Sequence, residues 1–340
     1  MRLSARGSIV LALLALLHLP ILFAGFIAPY DPAEQDRELP YAPPTRLHLI
    51  KASGVRVRPF VYGVTTTQEG AREDTQHSYA IRFFIRGARY SFFGICDTDR
   101  HLFRVDAPGE IHLLGTDAYG RDVFSRLLFG GQISLAAGLV ATILTLLAGT
   151  LMGCISGYCG RWADETLMGT SELFLSLPWL YLLLGLRALL PLHVSPTSTF
   201  LLLVCVIGLL GWVRPARLVR GVVLSARNRN YVHAARAFGA GNAYLLRRHI
   251  LPETFSVVLT HAAVLVPQYI AAEVTLSFFG LGVNEPVPSW GNMMSTLQQY
   301  SVLTSYGWML APAAALVVTS VIYWLLADLL QHWLQSRSIV

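Results

Sequence analysis

Apolar runs long enough to cross a bilayer recur along this chain and leave little room for a water-soluble fold. The first, from Ser8 to Ala28, reads SIVLALLALLHLPILFAGFIA. At 1.5 Å of helical rise per residue, it matches the roughly 30 Å hydrocarbon layer. Further runs lie at about 133–158, 166–190, 199–213, 256–280 and 306–326. Of the 340 residues, 54% are hydrophobic and 14% charged, which is too apolar for a soluble chain of this size. Met1 to Arg6 is short and basic, so the first run has the outline of a signal peptide. No A-x-A site follows it and further spans do, which favours a retained helix with its N-terminus inside. Six spans then bring both ends of the chain to one side, with 331–340 as a short cytoplasmic tail.

Between the fourth and fifth runs lies WVRPARLVRGVVLSARNRNYVHAARAFGAGNAYLLRRHILP, Trp212 to Pro252. It carries Arg214, Arg217, Arg220, Arg227, Arg229, Arg236, Arg247 and Arg248, and no acid precedes Glu253. Such a positive loop belongs on the cytoplasmic side of a membrane protein. Asn230 is placed to cap a helix through HAARAF, and Gly239 and Gly241 to end it. A second short helix, Ala243 to Ile250, is expected to stop ahead of Pro252. A rigid basic projection of this kind suits a cytoplasmic partner.

The segment 29–126 is polar and structured. Its runs VRVRPFVYGV, YAIRFFIRGARYSFFGI and HLFRV alternate and are rich in β-branched and aromatic residues, which predicts a few short strands. We expect a small β-rich insert outside the membrane, since long translocated segments escape the positive-inside bias. In the second run, Ala141, Thr145, Gly149, Gly153 and Gly157 form a small-residue stripe suited to close helix contact within the chain. The third run carries Glu172, Pro178 as a kink, and Arg187, with a turn at Pro191–Ser198. The fifth run carries His261, Pro267 and Glu273. A carboxylate in lipid is costly and points to function; Glu273 either lines a pathway or braces a helix pair.

Several chemistries are excluded. The only lysine is Lys51 and no Gly-rich run precedes it, so a G-x-x-x-x-G-K-[ST] nucleotide loop is absent. No H-E-x-x-H zinc pair exists, Ser156-Gly157 does not form G-x-S-G, and the four cysteines lack metal-ligand spacing. No catalytic or metal-binding residue is assigned. The net charge of +6 reflects topology, because the basic residues are not gathered on an aromatic-studded soluble domain and nucleic acid is not an expected partner.

Four motifs resemble one family, the permease subunits of binding-protein-dependent ABC importers, and within it the dipeptide and oligopeptide permeases. Ala234-Ala235, Gly239 and Leu251-Pro252 resemble the family's "EAA…G…LP" coupling loop, with His233 where the family has Glu; Tyr231 belongs to the same loop, 214–253. HLLGTDAYGRDVFSRLLFG, His112 to Gly130, resembles the H-x-LGTD-x-x-GRD-V-x-SR element, with Leu113 in place of proline. Gly115, Thr116, Asp117, Gly120, Arg121 and Asp122 fall in place, and Asp117 and Asp122 sit near Arg121 and Arg126 for a local ion network. AAEVTLSFFGLG resembles LLEASLSFLGLG, and NEPVPSWGNMM resembles P-x-x-P-SWG-N-M, which makes Trp290 and Asn292, with Glu172 and Glu273, candidates for the pathway or for helix bracing.

The resemblance covers about 112–330. It implies an all-α polytopic membrane protein of six transmembrane helices in the type I ABC importer permease fold, with the β-rich insert after the first helix and a five-helix core at 127–330. It implies one half of a peptide pathway in the inner membrane, with a second permease, two ABC ATPases and an extracytoplasmic solute-binding protein as partners. ATP and Mg would be held by the ATPases and no cofactor by this chain. Nickel or another non-peptide solute is the alternative cargo within the family. A secondary transporter driven by ion gradients is the competing class, for which Glu172, Arg187 and Glu273 are the only candidate charges.

Overall fold

A computed structural model of the protein describes residues 5–51, 54–67, 70–92, 96–188 and 195–337. The side chain of Arg187 and residues 191–194 of the expected turn lie outside them, as do the last three residues of the tail. The main helices are α1 (Ala5–Leu22), α2 (Val123–Cys159), α3 (Arg161–Ser176), α4 (Trp179–Ala188), α5 (Pro196–Leu210), α6 (Val213–Arg227), α7 (Asn230–Ala237), α8 (Leu251–Phe278) and α9 (Ala311–Arg337). Among the described residues five helical runs are long and apolar enough to cross a membrane, or six if α3 and α4 together make one broken span.

Two compact units emerge, one formed by Leu135–Leu276 with parts of the first and last helices, the other by Leu14–Ser134 and Ser277–Val317. In the first, the small-residue stripe of α2 lies against the α5–α6 run. A Cβ on Gly153 would come within 2.5 Å of the Ala216 carbonyl oxygen, and one on Gly157 within 2.9 Å of Val223 Cβ. Only hydrogen lets these backbones approach so closely. On the other side of α2, Leu139, Ile143, Leu147, Leu151 and Ile155 recur at the same four-residue step and are exposed, as a lipid-facing stripe is. The stripe therefore serves contact within the chain.

Several boundaries differ from those read in the sequence. The fourth span does not end at Val213: Pro196–Arg227 is one 32-residue helical run, so four of the arginines ride on the span's own extension. Pro178 does more than kink the third span. Leu177 is extended (φ −86°, ψ 134°), as steric conflict with a following proline favours, and the chain turns by 92° between α3 and α4. Pro252, in contrast, stops nothing. The helix Asn242–Leu245 passes through a five-residue π turn, Leu246–Ile250, straight into α8. The π turn re-registers the hydrogen bonds where the proline ring would otherwise meet the carbonyl four residues back. The last helix runs on to Arg337, so most of the expected tail is helix.

The second unit holds a four-stranded antiparallel sheet in the order β1 (His48–Lys51), β2 (Gly54–Thr67), β3 (Gly70–Phe92), β4 (Cys96–Val105). The strands are longer than the sequence suggested, and β1 was not foreseen. Phe60 pairs with Ala80, Ile81 with Val105 and Phe83 with Phe103. Val61, Ile81, Phe103 and Val105 bury one face against Tyr30 and Ile111. The insert is thus packed against the residues that lead into the second span.

Candidate functional site

Two clusters of sequence-marked residues take shape, one in each unit. The first is the arginine-rich stretch. Helix α7 buries Val232 and exposes His233, Ala234, Arg236 and Ala237. Asn230 is its first helical residue rather than its cap; Arg229 occupies that place in extended conformation, without a side-chain bond to the helix end. The C-terminus is closed by backbone alone: Gly239 N–H donates to Arg236 O and Ala240 N–H to Ala235 O, both at 3.0 Å, around Gly239 at φ +87°. This is the paired closure that a left-handed residue permits, which accounts for glycine here. Beside it Phe238 is 93% exposed. The stretch is anchored by Ile250, Val219, Val223 and Ala226 packed on Cys154. Tyr231 hydroxyl donates to the Glu253 carboxylate and exposed Leu251 and Pro252 begin α8, so all seven marked residues fall on one structured projection.

The eight arginines are not equivalent. Arg220 makes two bonds to Asp164, Nε–Oδ1 at 2.5 Å and Nη2–Oδ2 at 2.6 Å. Arg217 meets Glu172 at 3.0 Å, Arg229 meets Glu253 at 3.5 Å, and Arg227 donates to the Gly157 carbonyl at 2.9 Å. Among the described residues Arg236, Arg247 and Arg248 have no hydrogen bond or ion pair, and all three are exposed. The sequence shows eight unopposed charges; the fold gives four of them partners and leaves four without one among the described residues, Arg214 and the three beside α7. Glu172 of α3 is at the surface, paired with Arg217 of α6. Glu273 is fully buried within α8.

In the second unit the His112–Gly130 element forms a tight knot. Thr116 hydroxyl donates to Leu39 O (2.6 Å) and accepts from Ala42 N–H (2.7 Å). Gly115 and Gly120 have positive φ, and a Cβ on Gly120 would sit 1.7 Å from Asp36 O. Asp117 accepts from Arg121 Nε at 2.7 Å and lies 3.7 Å from Arg126 Nε. Asp122 does not join the arginines; it accepts from Ser125 N–H (2.7 Å) and hydroxyl (2.6 Å) and bonds His112 Nδ1 at 3.0 Å. His112 Nε2 reaches Glu110 at 3.1 Å. Burial alone would lower the His112 pKa, but the hydrogen bonds with Asp122 and Glu110 outweigh it and raise it to about 9.

Glu285 was missed. Its Oε2 accepts from Arg121 Nη1 at 2.7 Å and its Oε1 from Arg126 Nη2 at 2.8 Å, closing the network across the chain. A signal existed, for Glu285 is the only charged residue between Glu273 and Asp328. Trp290 and Asn292 fasten the same loop. Trp290 indole N–H donates to Leu127 O at 3.0 Å; Asn292 forms a capping box with Ser289 and donates to Val287 O at 2.8 Å. These contacts fasten the loop to the start of the second span.

Residues 149–340 match the family described as binding-protein-dependent transport system inner membrane component. The chain belongs to that family. It is a permease component and a multi-pass inner-membrane protein. A Brucella suis protein whose name places it among peptide permeases is 39% identical over 213 residues, 62% of this chain and 68% of its own. The oligopeptide permease OppC of Bacillus subtilis is 37% identical over 213 residues, 62% and 67% of the two chains. The dipeptide permease DppC of the same organism is 34% identical over 231 residues, 68% and 70%. The family position fits both clusters, since the first lies in the matched residues and the second joins the segment before them to the loop around Trp290.

Proposed function

We propose that this permease forms half of a peptide pathway driven by separate ATPase subunits. The observation that carries the reading is helix α7 with Arg236, Arg247 and Arg248 beside it, exposed and without partners among the described residues, linked by the turn at Gly239 to the helix Asn242–Leu245, which continues through the π turn into membrane helix α8. Exposed unpaired charge on a rigid element marks a docking surface, and a nucleotide-binding partner is the one the family context supplies. His233 stands at the centre of that face where an acid is the common choice, so the contact made here is basic or neutral.

Two ATPases, each gripping one permease, hold ATP and Mg and close on binding; the motion passes through the α7 projection to α8. A second permease completes the pathway and an extracytoplasmic binding protein delivers cargo. Peptides are the cargo, as the names of the relatives suggest, and selection rests largely with the binding protein. Ligand binding to the partner states, rather than covalent chemistry in this chain, drives the change. The arginine-rich stretch and both chain ends are cytoplasmic and the sheet is extracytoplasmic. Co-purification with the neighbouring subunits, followed by identification of the solute carried by the binding protein, tests the assignment. ATP-dependent peptide uptake that survives a protonophore is expected; uptake that collapses with the proton gradient, or a complex without an ATP-hydrolysing chain, overturns it.

A further inference from the structure

A cavity of about 320 Å³ opens in the first unit where the third span breaks. Phe174, Pro178 and Trp179 come from the two sides of the break, Arg214 from α6, and Gln268 and Tyr269 from α8. Its lining is otherwise aliphatic, and among the described lining residues Arg214 is the one charged side chain. Arg214 and Gln268 have no hydrogen bond or ion pair among the described residues, whereas Tyr269 hydroxyl is bonded with Thr145 at 3.0 Å. Arg214 also stands apart from its neighbours Arg217, Arg220 and Arg227, each of which has a partner.

Three features point to a ligand. A guanidinium offers donors only, so its complement is an oxyanion, which it can grip in two places at once. Non-helical backbone at membrane depth persists where it is buried in protein or lines a wetted cavity, and discontinuous helices mark the places where transporters hold their cargo. Cavities of this volume with aromatic walls and few polar groups suit part of a small solute.

We infer that Arg214 and Gln268, which line this cavity together with Trp179 and Tyr269, form a carboxylate subsite for cargo in transit. Resting on the peptide reading above, the group held is the free C-terminal carboxylate of the peptide. A lipid phosphate shares that oxyanion chemistry, and the experiment separates the two sources.

The complete complex, with its ATPases, second permease and binding protein, is reconstituted in proteoliposomes and supplied with radiolabelled trialanine. The readout is peptide delivered per ATP hydrolysed, a ratio that the amount of assembled protein does not change. Arg214→Gln lowers the ratio about tenfold, as expected on losing a hydrogen bond to a charged group, while Arg214→Lys, which keeps the charge, stays within about threefold of the parent. A ratio unchanged in Arg214→Gln overturns the subsite and leaves the peptide reading intact. An Arg214→Gln defect that disappears when anionic lipid is replaced by phosphatidylcholine alone in both samples assigns Arg214 to a headgroup and also overturns it. A parent complex that hydrolyses ATP and moves another solute but no peptide overturns the peptide reading itself.

Discussion

The Asp117–Arg121–Arg126–Glu285 cluster and the arginines around α7 carry similar chemistry to different ends. In the first, guanidinium groups that are 2% and 7% exposed meet carboxylates from two distant parts of the chain. Such charges are held only because each is hydrogen-bonded; removing one partner leaves the other buried and unpaired. In the second, Arg236, Arg247 and Arg248 are exposed, and none of the described residues meets them. Charge that stabilises the fold is enclosed and matched, while charge kept for another molecule stays solvated until it is met.

Glu285→Gln should break the first cluster most severely, because it strips both arginines of a shared carboxylate. We expect a loss of about 3 kcal/mol in detergent-solubilised unfolding, less if water enters beside the half-exposed Glu285 side chain. Beside that cluster, His112 with Asp122 and Glu110 gives the same element a pH dependence. Its folded pKa of about 9 lies above its ordinary value of 6.5, so its contribution is fully present below pH 6.5 and fades as pH rises through about 9. Melting temperature measured across that window should fall, and His112→Asn should flatten the slope. In the second cluster Gly239→Val meets no neighbour, since nothing lies within 4 Å of a Cβ there. Its effect is the strain of a branched residue at positive φ, roughly 1–2 kcal/mol and confined to α7. It should reduce binding-protein-stimulated ATP hydrolysis far more than it lowers the melting temperature. Finally, Arg236→Glu with Arg247→Glu should change stability by less than about 0.5 kcal/mol while abolishing ATPase co-purification. Equal damage to folding by this pair and by Glu285→Gln would erase the distinction between the clusters.

Much of this is legible in the sequence. Periodicity and length revealed the spans, the small-residue stripe revealed a helix contact, and Gly239 revealed a helix end, because each depends on residues close in sequence. Pairings were not legible. Arg220 finds Asp164, 56 residues upstream, and Arg121 finds Glu285, 164 residues downstream. Both depend on which surfaces the helices present to each other, and charge counting over one loop cannot show that. The two prolines were the subtler case. Pro178 and Pro252 impose the same local restriction, yet one breaks a helix by 92° and the other is carried through by a π turn. The difference lies in what the flanking turns can rearrange. The inward face of Asp122 was also misjudged, since its partner is His112 and not an arginine.

The uninterrupted run from Asn242 to Phe278 has a mechanical meaning. At 37 residues it is a rod about 55 Å long. A stiff rod cannot swallow a nudge at its Tyr244 end as a slack tether would. A tilt of a rod displaces its far tip in proportion to its length. The wide turn ahead of Pro252 and the missing amide donor at Pro267 are two places along it where the coiling could yield.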